Sequence, residues 1–123
     1  MGQAKRQGSL VRRAYIPEAG DLVWASFDPQ AGHEQSGRRL ALVLSPGEYN
    51  EKAGLALTCP ITSKVKDYPF EVAVTASRVR GVVLADQIRS LDWRSRQFTL
   101  IERASTETVE AVKQSLGMLL QLS

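Results

Sequence analysis

The chain has 123 residues, 43% of them apolar and 24% charged, which fits one globular domain with a single substantial core. No apolar run approaches the ~20 residues that cross a bilayer. The stretch from Met1 to Val11 is polar and basic with no apolar segment of secretory type, so neither membrane insertion nor export is expected. Cys59 is the only cysteine, which rules out an internal disulfide and suits a reducing cytoplasm.

The net charge of +3 is unevenly spread. Four of the 16 cations, Lys5, Arg6, Arg12 and Arg13, precede the first acid, so the remainder holds 12 cations against 13 acids. A case for nucleic-acid binding must therefore rest on local patches. Arg78, Arg80, Arg89, Arg94 and Arg96 crowd one stretch, and Arg38, Arg39, Lys64 and Lys66 form two further basic spots. Such residues either solvate strand faces and loops or converge on a phosphate backbone.

Residues 1–14 read as a flexible basic tail, and 15–123 as the domain. The first β-rich run is 22–27, ended by Asp28-Pro29. A continuous apolar run at 40–44 reads as a strand covered on both faces and ends at Ser45-Pro46-Gly47. The run at 55–59 reads as a third strand, stopped by Pro60. Phe70, Val72 and Val74 alternate with Glu71 and Ala73, the period of a half-buried strand. Runs at 81–85 and 97–101 supply two more, with Ile88, Leu91 and Trp93 between them. The period then changes: Val109, Val112, Leu116, Leu119 and Leu120 fall on one face of a helix capped by Ser105 or Thr106. Gly117 inside that helix marks a candidate close approach to a neighbour. The expected class is α+β, mainly β: a small β-barrel with a C-terminal helix. Two connections, 28–37 and 62–68, are longer than a hairpin needs, and such loops on a rigid barrel are natural places for chemistry.

Several chemistries lack their residues. One histidine and one cysteine cannot build a structural zinc site, and no carboxylate cluster has calcium-loop spacing. There is no Gly-rich phosphate loop and no nucleophile elbow. No cofactor or metal is expected. What remains is Gly32-His33-Glu34-Gln35-Ser36-Gly37-Arg38-Arg39, a base-capable histidine, a carboxylate and two guanidiniums between glycines. Thr62-Ser63-Lys64 lies just past a strand end. Together they can bind a phosphodiester and supply a general base and a cation. The plainer reading is a polar loop with local salt bridges.

The chain resembles the MazF/PemK (Kid) toxin family. The matching residues are Gly20-Asp21-Leu22-Val23-Trp24, Phe27-Asp28-Pro29, Gly32-His33-Glu34-Gln35, Gly37 and Arg39. They continue through Val43-Leu44-Ser45-Pro46, Tyr49-Asn50, Pro60-Ile61-Thr62-Ser63 and Tyr68-Pro69-Phe70-Glu71-Val72, and end in Gly81-Val82-Val83-Leu84-Ala85-Asp86-Gln87-Ile88-Arg89-Ser90. The series runs in order from about Tyr15 to the C-terminus. The resemblance implies an SH3-like barrel, a homodimer with active sites near its interface, cleavage of single-stranded RNA at a short sequence, and inhibition by a MazE-like antitoxin. It carries the catalytic roles to Arg39, Thr62 and Glu34. It makes His33, Gln35, Ser63, Lys66, Asp86 and Gln87 further candidates for catalysis or RNA binding. Two positions depart from the family. Leu40 stands where many relatives have proline, and Leu84 stands where the Kid branch has a catalytic arginine, although Asp86 is retained.

A metal-independent RNase of this kind would use the substrate's 2′-OH as nucleophile, leaving a 2′,3′-cyclic phosphate and a 5′-OH. Glu34 is the preferred base, with His33 second. Arg39 suits stabilisation of the phosphorane charge, because a guanidinium fork matches two phosphate oxygens and arginine stays protonated in water. Thr62 would donate to a non-bridging oxygen. Trp24, Phe27, Tyr68 and Phe70 offer faces on which unpaired bases can stack, with core burial the alternative for Trp24 and Phe70. The rival function is a CcdB-like gyrase poison on a related barrel, since fold alone does not decide activity.

Overall fold

The computed structural model describes residues 15–26 and 37–122. Among these, seven strands and two helices follow in the order β1 (Asp21–Ser26), β2 (Arg38–Val43), α1 (Gly47–Ala53), β3 (Leu55–Thr62), β4 (Glu71–Thr75), β5 (Arg80–Leu84), β6 (Arg89–Asp92), β7 (Thr99–Arg103) and α2 (Thr106–Leu120). All pairings are antiparallel. The sheet runs β4-β5-β3-β2-β1-β7, with β6 paired to the first half of β3, and curls into a half-barrel. The expected mainly-β barrel with a C-terminal helix is what forms. The sequence expectations for residues 1–14 and 27–36, including His33, Glu34 and Gln35, lie outside the described residues.

Both faces of the central strands are apolar, as the continuous run in β2 requires. Leu22, Leu42, Cys59, Ile61 and Val83 pack with Val112 of α2 on one face. Val23, Ala25, Ala41, Val43, Ala56, Trp93 and Phe98 form a second core on the other. Alternation along β1 and β2 sends neighbouring residues to opposite cores.

Three sequence expectations need correction. Pro60 does not stop the third strand, which runs on to Thr62. On one side β3 pairs with β2 from Thr58 to Ile61; on the other it pairs with β6 up to Thr58 and with β5 from Ile61. Pro60 falls in the gap between those two partners, where a missing N–H costs no ladder bond. The turn at Pro46-Gly47 opens a short helix, α1, that hydrophobic periodicity did not reveal. Its signals are punctuation: Pro46 just before it and Gly54, in the left-handed region at φ 71°, just after, with Gly54 N–H donating to Asn50 O at 3.0 Å. Asn50 is buried. Its Nδ2 donates to Pro17 O at 2.8 Å and Ser45 O at 2.9 Å, and its carbonyl accepts from Trp93 Nε1 at 2.8 Å.

The third correction concerns α2. Ser105 caps it by accepting from Thr108 N–H at 3.1 Å, and Val109, Val112 and Leu116 meet the core as their spacing requires. Leu119 and Leu120 do not: they are exposed. Nor does Gly117 mark a tight contact with another element. The nearest atom to a Cβ there is the carbonyl of Leu122, 3.5 Å away where the chain folds back over the helix end.

Candidate active site

Register brings the two principal candidates together. β2 and β3 pair with Leu40 opposite Ile61 at the last ladder position. One step further, Arg39 stands opposite Thr62, and directly opposed residues in antiparallel strands hold their Cβ atoms ~5 Å apart on one face. That face also carries Ala25, Ala41, Thr58 and Pro60. The second core is filled deeper down by Val23, Val43, Trp93 and Phe98, but at this end of the sheet the side chains shrink to alanine and proline. A cleft of about 310 Å³ opens there, with Arg39 and Thr62 both in its wall.

The cleft is basic. Arg89 from β6 and Arg96 from the β6–β7 connection line it beside Arg39, and Ser26, Thr58 and Gln87 add polar groups. Arg39 Nη1 donates to the carbonyl of Arg38 at 3.1 Å. Arg96 is built in firmly: its Nη1 donates to Ser26 O at 3.2 Å, and its own carbonyl accepts from Ser26 N–H at 2.7 Å. Asp92 shapes that turn, accepting from the N–H groups of Arg94 at 3.1 Å and Ser95 at 3.0 Å. Those bonds, from Ser95 foremost and against some desolvation, hold its carboxyl below the usual range. Arg96 therefore fastens the end of β1, from which residues 27–36 depart; the chain returns at Gly37, next to β2.

Thr62 closes β3. Its Oγ1 accepts from Lys64 N–H at 3.1 Å, which leaves its hydroxyl proton to be donated outward. Gly81 makes its placement possible. With φ at +152°, Gly81 brings β5 so close that an added Cβ would stand 2.4 Å from the Thr62 carbonyl. A second cleft of about 550 Å³ lies on the far side of Thr62, walled by Lys64, Lys66, Tyr68, Leu84 and Gln87. Thr62 and Gln87 line both, so the two clefts adjoin across this pair.

The sequence candidates thus separate. Arg39, Thr62 and Gln87 share the first cleft; Lys66 and Gln87 line the second. Asp86 sits behind the second, accepting the Tyr68 hydroxyl at 2.7 Å. Ser63 is exposed and lines neither. Leu84, at the position of the Kid branch's arginine, is in the second cleft's wall, so that wall draws its cations from Lys64 and Lys66. Arg89 and Arg96 also line the first cleft; the sequence marks them only as members of a general basic cluster. The rest of that cluster goes elsewhere. Arg78 and Arg80 line a groove with Trp24 on the opposite face, where Arg38 lies 5.4 Å over the Trp24 ring, and Arg94 lies 4.7 Å over Trp93. Phe70 is half-buried and meets Tyr68 edge to face at 5.7 Å.

Fold and site together define a small antiparallel half-barrel protein with a cationic, hydroxyl-lined cleft at one end of its central strands. A family model described as PemK-like, MazF-like toxin of type II toxin–antitoxin system matches residues 18–120. The endoribonuclease toxin MazF of Escherichia coli strain K12 is 43% identical over 106 residues, covering 86% of this chain and 96% of that protein. The crystal structure of MazF from Deinococcus radiodurans superposes with a TM-score of 0.78 at 55% identity, over 89% of this chain and all of that one. A MazE–MazF structure from the same organism gives 0.80 at 49% identity, with the same coverage. The chain belongs to the PemK-like, MazF-like toxin family.

Proposed function

We propose that this chain is the toxin of a type II toxin–antitoxin pair and acts as a metal-independent endoribonuclease on single-stranded RNA, in the cytoplasm and as a homodimer. The observation that carries the reading is the meeting of Arg39 and Thr62, from different strands, in the wall of one basic cleft. Relatives whose names state endoribonuclease activity support it.

In this reading the substrate's 2′-oxygen attacks the adjacent phosphorus while the bond from phosphorus to the 5′-oxygen breaks. The 2′-hydroxyl proton goes to a base, and the 5′-oxygen takes up a proton, so the products are a 2′,3′-cyclic phosphate and a 5′-OH. Glu34 is the preferred base and His33 the second, both in the segment that leaves from Ser26 at the cleft wall. Arg39 spreads its guanidinium against two phosphate oxygens, and Thr62 donates its hydroxyl proton to a non-bridging oxygen. Arg89 and Arg96 add long-range attraction for the backbone. A MazE-like antitoxin would inhibit by laying an acidic, flexible segment along the same cations. MazF of D. radiodurans has been crystallised with MazE, which supports a partner of this kind.

Purified protein incubated with a long single-stranded RNA in EDTA tests the proposal. Cuts at a short recurring sequence with cyclic-phosphate and 5′-OH ends are expected, and DNA of the same sequence should stay intact for want of a 2′-OH. Activity abolished by EDTA would overturn the metal-independent mechanism. Gyrase-dependent DNA breaks with intact RNA would replace it with the CcdB-like alternative.

A further inference from the structure

The connection from Thr62 to β4 is long, yet it is fastened at several points. Lys64 N–H donates to Thr62 Oγ1 at 3.1 Å, Lys66 N–H donates to Glu71 Oε2 at 3.0 Å, and Glu71 N–H donates to the Tyr68 carbonyl at 3.0 Å. Asp67 takes a left-handed conformation, φ 58°, to make the turn. These ties are local to the loop. The tie that reaches out of it from a side chain is the Tyr68 hydroxyl, which donates to Asp86 Oδ2 at 2.7 Å across 18 residues of sequence.

Asp86 makes that bond count. Among the described residues its other oxygen, Oδ1, is buried with no hydrogen-bond partner. A carboxylate already short of donors loses much when its remaining one is removed. The neighbouring Cys59 thiol gives it nothing, since Sγ points its weak donor at the Ala85 carbonyl, 3.7 Å away. The Tyr68 hydroxyl, in turn, is held in its protonated form chiefly by this bond.

We propose that Tyr68 is a positioning residue for substrate binding: its hydroxyl latches the 63–70 loop to Asp86 and so sets the wall of the second cleft, where the nucleotide next to the scissile phosphate is gripped. The inference rests on the nuclease reading above. The two clefts meet at Thr62 and Gln87, so a strand whose phosphate lies against Arg39 and Thr62 continues past Gln87 into the space between Lys66, Tyr68 and Leu84. The Gln87 amide, placed where the clefts join, offers both a donor and an acceptor to a base edge. Chemistry belongs to the first cleft and grip to the second, and the latch acts on grip alone.

Tyr68→Phe tests this while keeping the ring and its edge-to-face contact with Phe70. The substrate is an oligoribonucleotide spanning a site that the wild type cuts, located by end mapping. The expected result is a KM raised about fivefold, the ratio that one hydrogen bond of ordinary strength supports, with kcat close to wild type. Substrates made abasic at one nucleotide at a time, with the scissile bond intact, should abolish the difference once the second-cleft base is gone. Amide hydrogen exchange across residues 64–68 should quicken in the variant, a readout that needs no RNA. An unchanged KM, a loss confined to kcat, a penalty that survives every abasic replacement, or unchanged exchange would each overturn the inference. A wild type that cuts no RNA would instead sink the nuclease reading, and the second-cleft assignment with it.

Discussion

Arg38 and Arg39 are adjacent and chemically identical, yet they face opposite sides of the sheet. Strand alternation sends Arg38 over the Trp24 ring on one face and Arg39 into the cleft on the other. Arg39→Ala and Thr62→Ala should each lower RNA cleavage ~10²–10³-fold, the usual cost of removing one group that stabilises transition-state charge. Their circular dichroism should stay that of the wild type, because neither side chain belongs to a core. Arg38→Ala should keep most of the activity. Wild-type rates from Arg39→Ala would end its assignment. At this scale the motif series was informative about Arg39 and Thr62, whose neighbours in sequence match a known pattern. It was uninformative about Arg89 and Arg96. Cation density between positions 78 and 96 marked them, but five arginines in that stretch divide among three places, and spacing does not say which turns inward.

Among the elements, β5 places Thr62 as much as β3 does. Gly81 lets the backbones approach, and Gly81→Ala would put a methyl group 2.4 Å from the Thr62 carbonyl, at a φ that alanine rarely adopts. The variant should be less stable by ~1–3 kcal/mol in urea titration, and its cleavage rate should fall because Thr62 is pushed out of place. Full stability together with full activity would mean that β5 can retreat without moving the hydroxyl. Most strands could be read from alternation and turn residues, and α2 from its spacing. The misreadings share a cause. A proline breaks a strand only where an N–H at its position would have had a partner, and β6 and β5 share one side of β3 in a way that leaves position 60 without one. Leu119 and Leu120 have the period of a buried face, but period cannot report whether anything in the fold covers that face.

Over the whole molecule, two apolar cores back onto one curled sheet, and both contain a group kept neutral by burial. Burial, with the charge of Asp86 adding to it, pushes the Cys59 thiol from its ordinary 9.0 up to about 12. Tyr15 packs against the second core and donates its hydroxyl to Asp21; burial first, and then that bond, push its pKa well above the usual tyrosine value. A raised pKa means that the folded state favours the protonated form. The stability this contributes is complete below the ordinary pKa values and is lost as pH climbs through the raised ones. The urea midpoint should therefore hold level through neutral pH and fall between about pH 9 and 12. Cys59→Ala should shallow that fall, and a midpoint flat across the window would contradict the coupling.

Local periodicity, turn punctuation and an ordered set of motifs were enough to establish from sequence a mainly-β chain with a C-terminal helix, its family, and the residue types available for phosphodiester chemistry. These features depend on neighbours a few positions apart, so the linear order contains them. The tertiary structure alone decided that Arg39 stands opposite Thr62, that alanines at one end of the sheet leave a cleft, and that Arg89 and Arg96 join it while Arg78 and Arg80 do not. Those outcomes depend on which strands pair and in what register, and pairing is a contest among segments tens of residues apart, settled by burying both faces of the sheet at once.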